Sequence, residues 1–139
     1  MGTFKNTLLL IGRLLFSVIF AWGAYNHLSH ITMMTHYAAV SGVPYARVAI
    51  IVTGLLLLLG SLSIILGWHT AIGAILIIIF LVPVTYQIHF LGMLHTTDIM
   101  QKQMQMINLM KNIGLVGGAI YIAVFGPGKY SLDGDQKKG

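Results

Sequence analysis

The chain has 139 residues, of which 57% are hydrophobic and only 8% charged, and its net charge is +5. A soluble domain carries about 25% charged residues to keep its surface hydrated, so the composition excludes that class. The absence of cysteine excludes disulfides, thiolate metal sites and iron–sulfur clusters, and the sparse basic residues lie near predicted helix ends, unlike those of a nucleic-acid-binding surface.

Four apolar stretches are long enough to cross a membrane, which takes about 20 residues in a helix. They cover residues 7–28, 46–66, 70–91 and 106–125. The second and third stretches are joined only by residues 67–69, so they form an antiparallel hairpin. Because a lipid-exposed backbone must satisfy its own hydrogen bonds, each stretch is predicted to be a helix.

Two connections between the spans carry apolar side chains at helical spacing, residues 29–44 and 93–105. Both predict short interfacial helical segments on the outer side. The predicted fold class is therefore an all-α, integral membrane four-helix bundle. One transmembrane domain covers residues 1–128, and a polar, mobile C-terminal tail covers residues 129–139.

The basic residues predict the orientation of the bundle. One side holds Lys5, Lys129, Lys137 and Lys138, and the other holds Arg47 and Lys102. An excess of Lys and Arg marks the cytoplasmic side, so both termini are predicted to be cytoplasmic.

Within the spans, two polar side chains and one proline stand out. Arg13 and His27 share one face of the first helix, about 21 Å apart along its axis at 1.5 Å per residue. Arg13 lies near the inner boundary, where the side chain is predicted to extend to the cytoplasmic headgroups. Pro83 is predicted to kink the third helix, since it lacks an N–H group.

Polar side chains from three spans are predicted to converge in the outer third of the membrane. The proposed catalytic residues are His27, His89 and Lys111, and the proposed ligand-binding residues are Asn26, Thr85, Gln87, Asn108 and Asn112. Lys111 has no acidic partner within reach, because Asp98 is the only acid outside the tail. Its partner is predicted to be a ligand, another subunit or a lipid phosphate, with extension to the outer headgroups as the alternative.

A metal site is a second hypothesis for the residues on the predicted outer side. His27, His30, His36, Met33 and Met34 lie close together in the sequence, and imidazole with thioether suits copper. Two histidines on different helices are also the ligands of a b-type haem. Against both, methionine commonly fills gaps in interfacial helices, and the spacing matches no fixed metal motif.

Several short motifs resemble one family of small four-span membrane proteins. They are Gly12-Arg13-Leu14-Leu15, Gly42-Val43-Pro44, Pro83-Val84-Thr85 with His89, Lys111-Asn112, and the ending Gly126-Pro127-Gly128-Lys129-Tyr130-Ser131-Leu132-Asp133. In this order the chain resembles the DoxX family. The resemblance implies a four-helix bundle in the cytoplasmic (inner) membrane of a bacterium or archaeon, and an association with quinone-linked oxidoreductases or thiol stress. Where many members carry a lysine, this chain has Asn26-His27.

Two functions of different classes follow. In the first, the chain is the membrane subunit of a quinone-linked oxidoreductase, with His27 and His89 at the quinone oxygens and Lys111 stabilising the reduced anion. A partner subunit supplies the electrons. In the second, the chain is a non-catalytic accessory or scaffold subunit that binds a membrane lipid, a partner protein, a second copy of itself, or a copper or haem centre.

Overall fold

The computed structural model describes residues 2–136, and this part of the chain is helical with no strand. The helices are α1 (Gly2–Ser29), α2 (Ile31–Val40), α3 (Ala46–Leu66), α4 (Thr70–Val84), a π-helical turn (Thr85–Phe90), α5 (Leu91–His95), α6 (Ile99–Phe125) and α7 (Leu132–Gln136). Four helical stretches have the length and hydropathy of membrane spans: α1, α3, α6 and the continuous run Thr70–His95. The predicted all-α, four-span fold is confirmed.

The spans pack in sequence order around α3 and α4. α1 packs on α3, α3 on α4, and α4 on α6, whereas α1 and α6 scarcely approach each other in the described part of the chain. α3 and α4 meet closely because Gly60 and Gly73 face each other, and a Cβ atom added at Gly60 would lie 3.1 Å from the Gly73 carbonyl oxygen. The bundle is therefore closed along three seams and open along the fourth, between α1 and α6.

One end of the bundle, called the terminal end below, holds the N-terminus, the α3–α4 turn and the residues after α6. Arg13 is 5% exposed there, and its guanidinium donates to the carbonyl oxygens of Pro127 at 2.7 Å, Tyr130 at 2.8 Å and Ile65 at 3.3 Å. The prediction that Arg13 extends to the headgroups is wrong, because the chain after α6 folds back and brings backbone acceptors to it.

Residues 127–133, called the C-terminal clasp below, also attach to the α3–α4 turn. The Asp133 N–H donates to the Gly67 carbonyl at 2.8 Å, and its carboxylate accepts from the Thr70 N–H at 3.1 Å and hydroxyl at 3.3 Å. Asp133 of the predicted polar tail is thus hydrogen-bonded to the start of α4 and to the α3–α4 turn. Lys137 and Lys138, used in the predicted topology, lie outside the described residues.

The hydrogen bonds at the clasp change the acidity of Asp133. Partial desolvation raises the pKa of its carboxyl group, but backbone N–H groups of His69 and Thr70 and the Thr70 hydroxyl outweigh that effect. The pKa of Asp133 therefore lies below its usual range. The carboxylate satisfies N–H groups at the start of α4 that have no partner within the helix, as a capping residue does.

The opposite end holds α2 and the connection between α5 and α6. α2 is the first predicted interfacial helix, but the second, over residues 93–105, is not a separate element. α5 continues the third span to His95, and α6 begins at Ile99, where the Asp98 carboxylate accepts from the N–H groups of Met100 at 2.8 Å and Gln101 at 3.3 Å. Which end faces the cytoplasm stays a prediction.

Candidate functional site

The polar residues predicted to form one site lie at the opposite end but border two cavities. The first, called the His27 cavity, has a volume of about 350 Å³ and lies among α1, α2, α3, α4 and the π-helical turn. The second, called the Lys111 cavity, has a volume of about 230 Å³ and lies among α1, α3, α4, the π-helical turn and α6. Phe80 and Val84 line both cavities, so they form a common wall.

His27 is held in a defined orientation at the end of α1. Its ring is 9% exposed, and Nδ1 lies 2.9 Å from the hydroxyl oxygen of Thr53 on α3. That hydroxyl has one proton and donates it to the Ala49 carbonyl at 2.6 Å. It therefore accepts from His27, which places a proton on Nδ1. In this tautomer Nε2 carries no proton, so it is a hydrogen-bond acceptor, and it has no partner among the described residues.

The remaining wall of the His27 cavity is mostly apolar. Phe80 meets the imidazole edge to face, with ring centroids 5.8 Å apart and planes at 77°. The other wall residues are Met34, Tyr37, Ala38, Val43, Pro44, Ala49, Ile50, Thr53, Ile79, Pro83, Val84, Tyr86, Gln87 and Ile88. The arrangement offers one imidazole to a ligand that is otherwise held by apolar contact.

Gln87 lies at one edge of the His27 cavity and hydrogen-bonds to backbone carbonyls of the α2–α3 connection. Its amide nitrogen donates to the carbonyls of Ser41 at 3.3 Å and Gly42 at 3.4 Å, just before α3. The π-helical turn that follows Pro83 carries Gln87 toward the α2–α3 connection. Its amide nitrogen is thus committed to positioning, and only its carbonyl oxygen is without a partner among the described residues.

Three of the other predicted residues, His89, Lys111 and Asn112, line the Lys111 cavity, whereas Thr85 and Asn108 do not. His89 Nδ1 lies 2.7 Å from Gln105 Oε1, and Asn112, which is 5% exposed, donates to the Thr85 hydroxyl at 3.1 Å. Lys111 is exposed and donates only to Asn108, at 3.3 Å, within its own helix. The structure therefore joins α6 to the π-helical turn by two side-chain hydrogen bonds.

Other predicted residues contribute less to either cavity. The Asn26 side chain donates to the Trp22 carbonyl of its own helix at 3.2 Å, and His30, His36 and Met33 are exposed. Of the five proposed metal ligands, only His27 and Met34 line the His27 cavity. Within residues 2–136 no three His, Asp or Glu side chains are grouped to hold a metal ion, so the metal reading gains no support.

Two residues of these sites were missed by the sequence reasoning. Thr53 orients His27, and Gln105 holds His89. Gln105 had a signal, because Gln101, Gln105, Asn108 and Asn112 recur at spacings of four, three and four, which places them on one helical face. Thr53 had a weaker one, as a polar residue early in an otherwise apolar span.

Comparison with known families supplies the context for this geometry. The sequence profile of the DoxX family matches residues 8–90, which run from α1 to the end of the π-helical turn and include His27, Thr53 and His89. The chain is a member of the DoxX family. Among curated relatives of this DoxX protein is the inner membrane protein YphA of Escherichia coli (strain K12), which is 28% identical over 134 residues.

That alignment covers 95% of this chain and 92% of YphA. No solved structure matches the chain. The family match and the four apolar helices establish a multi-pass membrane protein. The DoxX profile ends at residue 90, so α6 with Lys111 and Asn112 lies beyond it. The similarity to YphA, which covers 95% of this chain, extends over that helix.

Proposed function

We propose that this DoxX protein is the membrane subunit of a quinone-linked oxidoreductase and that the His27 cavity receives the quinone headgroup. The observation that carries the proposal is the single oriented imidazole in an apolar cavity. Thr53 fixes Nδ1–H, so Nε2 of the neutral ring is an acceptor for a ligand hydroxyl group, such as the O–H of the quinol form. The volume of about 350 Å³ falls in the range of small-molecule sites, about 300–1,000 Å³.

The chemistry of a quinone suits such a cavity. The ring is flat and apolar, and in the quinol form each oxygen carries a proton that it can donate. Oxidation of the quinol releases two electrons and two protons. In this proposal Nε2 of His27 accepts one proton, the second proton passes to water, and a partner subunit accepts the two electrons.

In this proposal access to the cavity is from the side of the bundle. Tyr37, Pro44 and Tyr86 line it and are exposed, so the cavity reaches the protein surface beside the α2–α3 connection and the π-helical turn. A quinone is a lipid-soluble molecule with an isoprenoid tail, and a lateral opening lets the headgroup enter while the tail stays in the hydrocarbon.

In this proposal the Lys111 cavity plays no part in holding the headgroup. Phe80 and Val84 stand between the two cavities, so His89 and Lys111 do not share the ligand with His27. The proposal therefore rests on His27 and Thr53, and it drops the idea that Lys111 stabilises the reduced anion.

A second candidate is the accessory or scaffold subunit, and one observation favours it. Lys111 is exposed on a membrane-spanning helix with a single neutral partner, and α6 is the least buried of the four spans. An amine at such a position is stabilised by an anionic group from outside the chain, either the carboxylate of a partner protein or a lipid phosphate.

A binding experiment tests the quinone proposal. The purified protein in detergent is titrated under anaerobic conditions with the reduced (quinol) forms of short-chain ubiquinone and menaquinone analogues by equilibrium dialysis. His27→Leu is expected to weaken binding about tenfold, because one hydrogen bond contributes about 1–1.5 kcal/mol. Thr53→Val should weaken it less, since the imidazole loses only its orienting partner. His36→Leu, on exposed α2, is the matched control and should bind as the parent protein does.

The outcomes separate the two functions. Equal affinity of the His27→Leu and His36→Leu variants, or no quinone binding by the parent protein, would refute the quinone proposal. Lys111→Met should leave quinone affinity unchanged. If it instead dissociates a co-purifying protein or lipid while quinone binding is absent throughout, the scaffold function is favoured.

A further inference from the structure

A third cavity lies at the terminal end, in the open seam between α1 and α6, and is called the seam cavity below. Its volume is about 480 Å³. The apolar side chains that line it are Leu8, Leu9, Phe16, Tyr121, Ile122 and Phe125. It lies at the other end of the bundle from the His27 and Lys111 cavities and has no role in the function proposed above.

The shape of the seam cavity follows from how α1 and α6 meet. The Phe16 ring rests on Gly118, where an added Cβ atom would lie 3.0 Å from the ring. This contact limits the cavity toward the middle of the bundle. Gly12 also lines the cavity, and a Cβ atom added there would meet nothing within 4 Å. The space between the helices is therefore an open slot with apolar walls.

The polar part of the seam cavity is positively charged. Lys5 and Arg13 line it, and no carboxylate is among its described lining residues. The acceptors of Arg13 are neutral carbonyls, and its Nε is buried without a hydrogen-bond partner. Its full charge therefore has no counter-charge there. Lys5 lies eight residues earlier, about 12 Å along the helix axis at 1.5 Å per residue, and is exposed.

We propose that the seam cavity binds an anionic phospholipid, with an acyl chain in the slot between α1 and α6 and the phosphate at Lys5, where the charge of Arg13 adds to the attraction. Basic residues near a membrane surface attract anionic lipid, and a slot for the acyl chain adds specificity to that attraction. A soluble anion would leave the apolar walls empty. A second copy of the chain fits less well, since it would add further positive charge, and Asp133 is already bound to Thr70.

The experiment is native mass spectrometry of the full-length, delipidated protein titrated with dioleoyl phosphatidylglycerol or dioleoyl phosphatidylcholine. The two lipids have the same acyl chains and differ in net charge. The parent protein should bind phosphatidylglycerol at least fivefold more tightly. Lys5→Gln should remove that preference, and Lys102→Gln, an exposed lysine at the opposite end, should keep it.

A pair of glycine variants tests the slot itself. Gly12→Leu fills the open space and should weaken phosphatidylglycerol binding about tenfold. Gly114→Leu is the matched control, because an added Cβ atom there also meets nothing within 4 Å but Gly114 does not line the cavity. It should bind as the parent does. Quinone affinity should be the same in both variants, which separates this test from that of the His27 cavity.

Three results would overturn the proposal. Equal binding of the two lipids by the parent protein would show that charge does not select the ligand. If Lys5→Gln weakens phosphatidylglycerol binding but Gly12→Leu does not, the lipid is attracted by surface charge and does not occupy the slot. Equal losses in Gly12→Leu and Gly114→Leu would indicate lipid that surrounds the bundle without a site. If Gly12→Leu does not fold, the comparison of Lys5→Gln with Lys102→Gln still decides whether the lipid is selected there.

Discussion

At the terminal end of the bundle Arg13 donates to three backbone carbonyls, one in α3 and two in the C-terminal clasp. At the opposite end His27, His89 and Lys111 each have one side-chain hydrogen bond. Polar groups within a membrane bundle cost free energy unless they are satisfied. The backbone acceptors hold the guanidinium in a fixed position within the fold. The side-chain partners at the opposite end orient a ring or an amine and leave other donors and acceptors for a ligand.

The largest effect that tests this contrast is expected from Arg13→Leu. The substitution leaves the carbonyls of Pro127, Tyr130 and Ile65 without their donor, and hydrogen bonds to a charged group contribute about 1.5–3 kcal/mol each. Because the lost contacts are not fully additive, we expect the free energy of unfolding to fall by about 3–5 kcal/mol, measured by thermal unfolding in detergent. Lys5→Leu, at an exposed lysine, should change it by less than about 0.5 kcal/mol. A similar stability of the two variants would contradict the structural role of Arg13.

Gly67→Ala should have the next largest effect. Gly67 has φ +67°, a conformation that costs a residue with a Cβ atom about 1–2 kcal/mol, and the added methyl group would collide with Ser131 of the C-terminal clasp. We expect a loss of about 2 kcal/mol, with faster proteolysis after α6. In Gly67→Ala/Ser131→Gly the collision is relieved, so the double variant should lose less than the sum of the single variants. If the stability losses of the two single variants are strictly additive in the double variant, the collision of the added methyl group with Ser131 does not contribute to them.

Asp133→Ala should have a smaller effect that depends on pH. Removal of a helix-capping carboxylate costs about 1 kcal/mol. The pKa of Asp133 is lowered on folding, so its contribution to stability is fully present above the ordinary aspartate pKa of about 3.9 and is lost as the pH falls through the lower pKa of the folded state. The difference in melting temperature between parent and variant should be constant near neutral pH and shrink below about pH 4. A difference that persists unchanged to lower pH would rule out the charged cap.

The smallest effect is expected at the opposite end, from Lys111→Met. Lys111 is exposed and bonded only to Asn108 within α6, so the stability of the purified protein should change by less than about 0.5 kcal/mol. Thermal unfolding beside Arg13→Leu gives the comparison directly. A loss of several kcal/mol would mean that the two ends do not differ as described, and that Lys111 is part of the architecture.

Hydropathy was sufficient for the spans because the bilayer requires about 20 apolar residues in each helix. The predicted third span began at Thr70 and the predicted second span covered Ala46–Leu66, as in the structure. The clasp could not be predicted in the same way. Its acceptors are backbone carbonyls, which every residue has, and two of them lie 114 and 117 residues from Arg13 in the chain.

The sequence predicted how deep in the membrane the candidate-site residues lie, but not the direction in which each side chain leaves its helix. Helical spacing places His27, His89 and Lys111 at one end of the bundle, because their depth follows from position along each helix. Which cavity each one lines depends on packing order and on the π-helical turn after Pro83, which changes the direction of the side chains that follow. Phe80 therefore separates residues that the sequence alone placed together.

The attachment of the C-terminal clasp to Arg13 has a consequence for synthesis. Arg13 enters the membrane with the first helix, but two of its three acceptors, the carbonyls of Pro127 and Tyr130, are translated only after α6. A nascent chain arrested before residue 127 keeps a charged guanidinium at the membrane with only the Ile65 carbonyl as partner. Closure of the bundle at this end therefore has to wait until residues 127–130 have been translated, because only then does the guanidinium gain most of its acceptors.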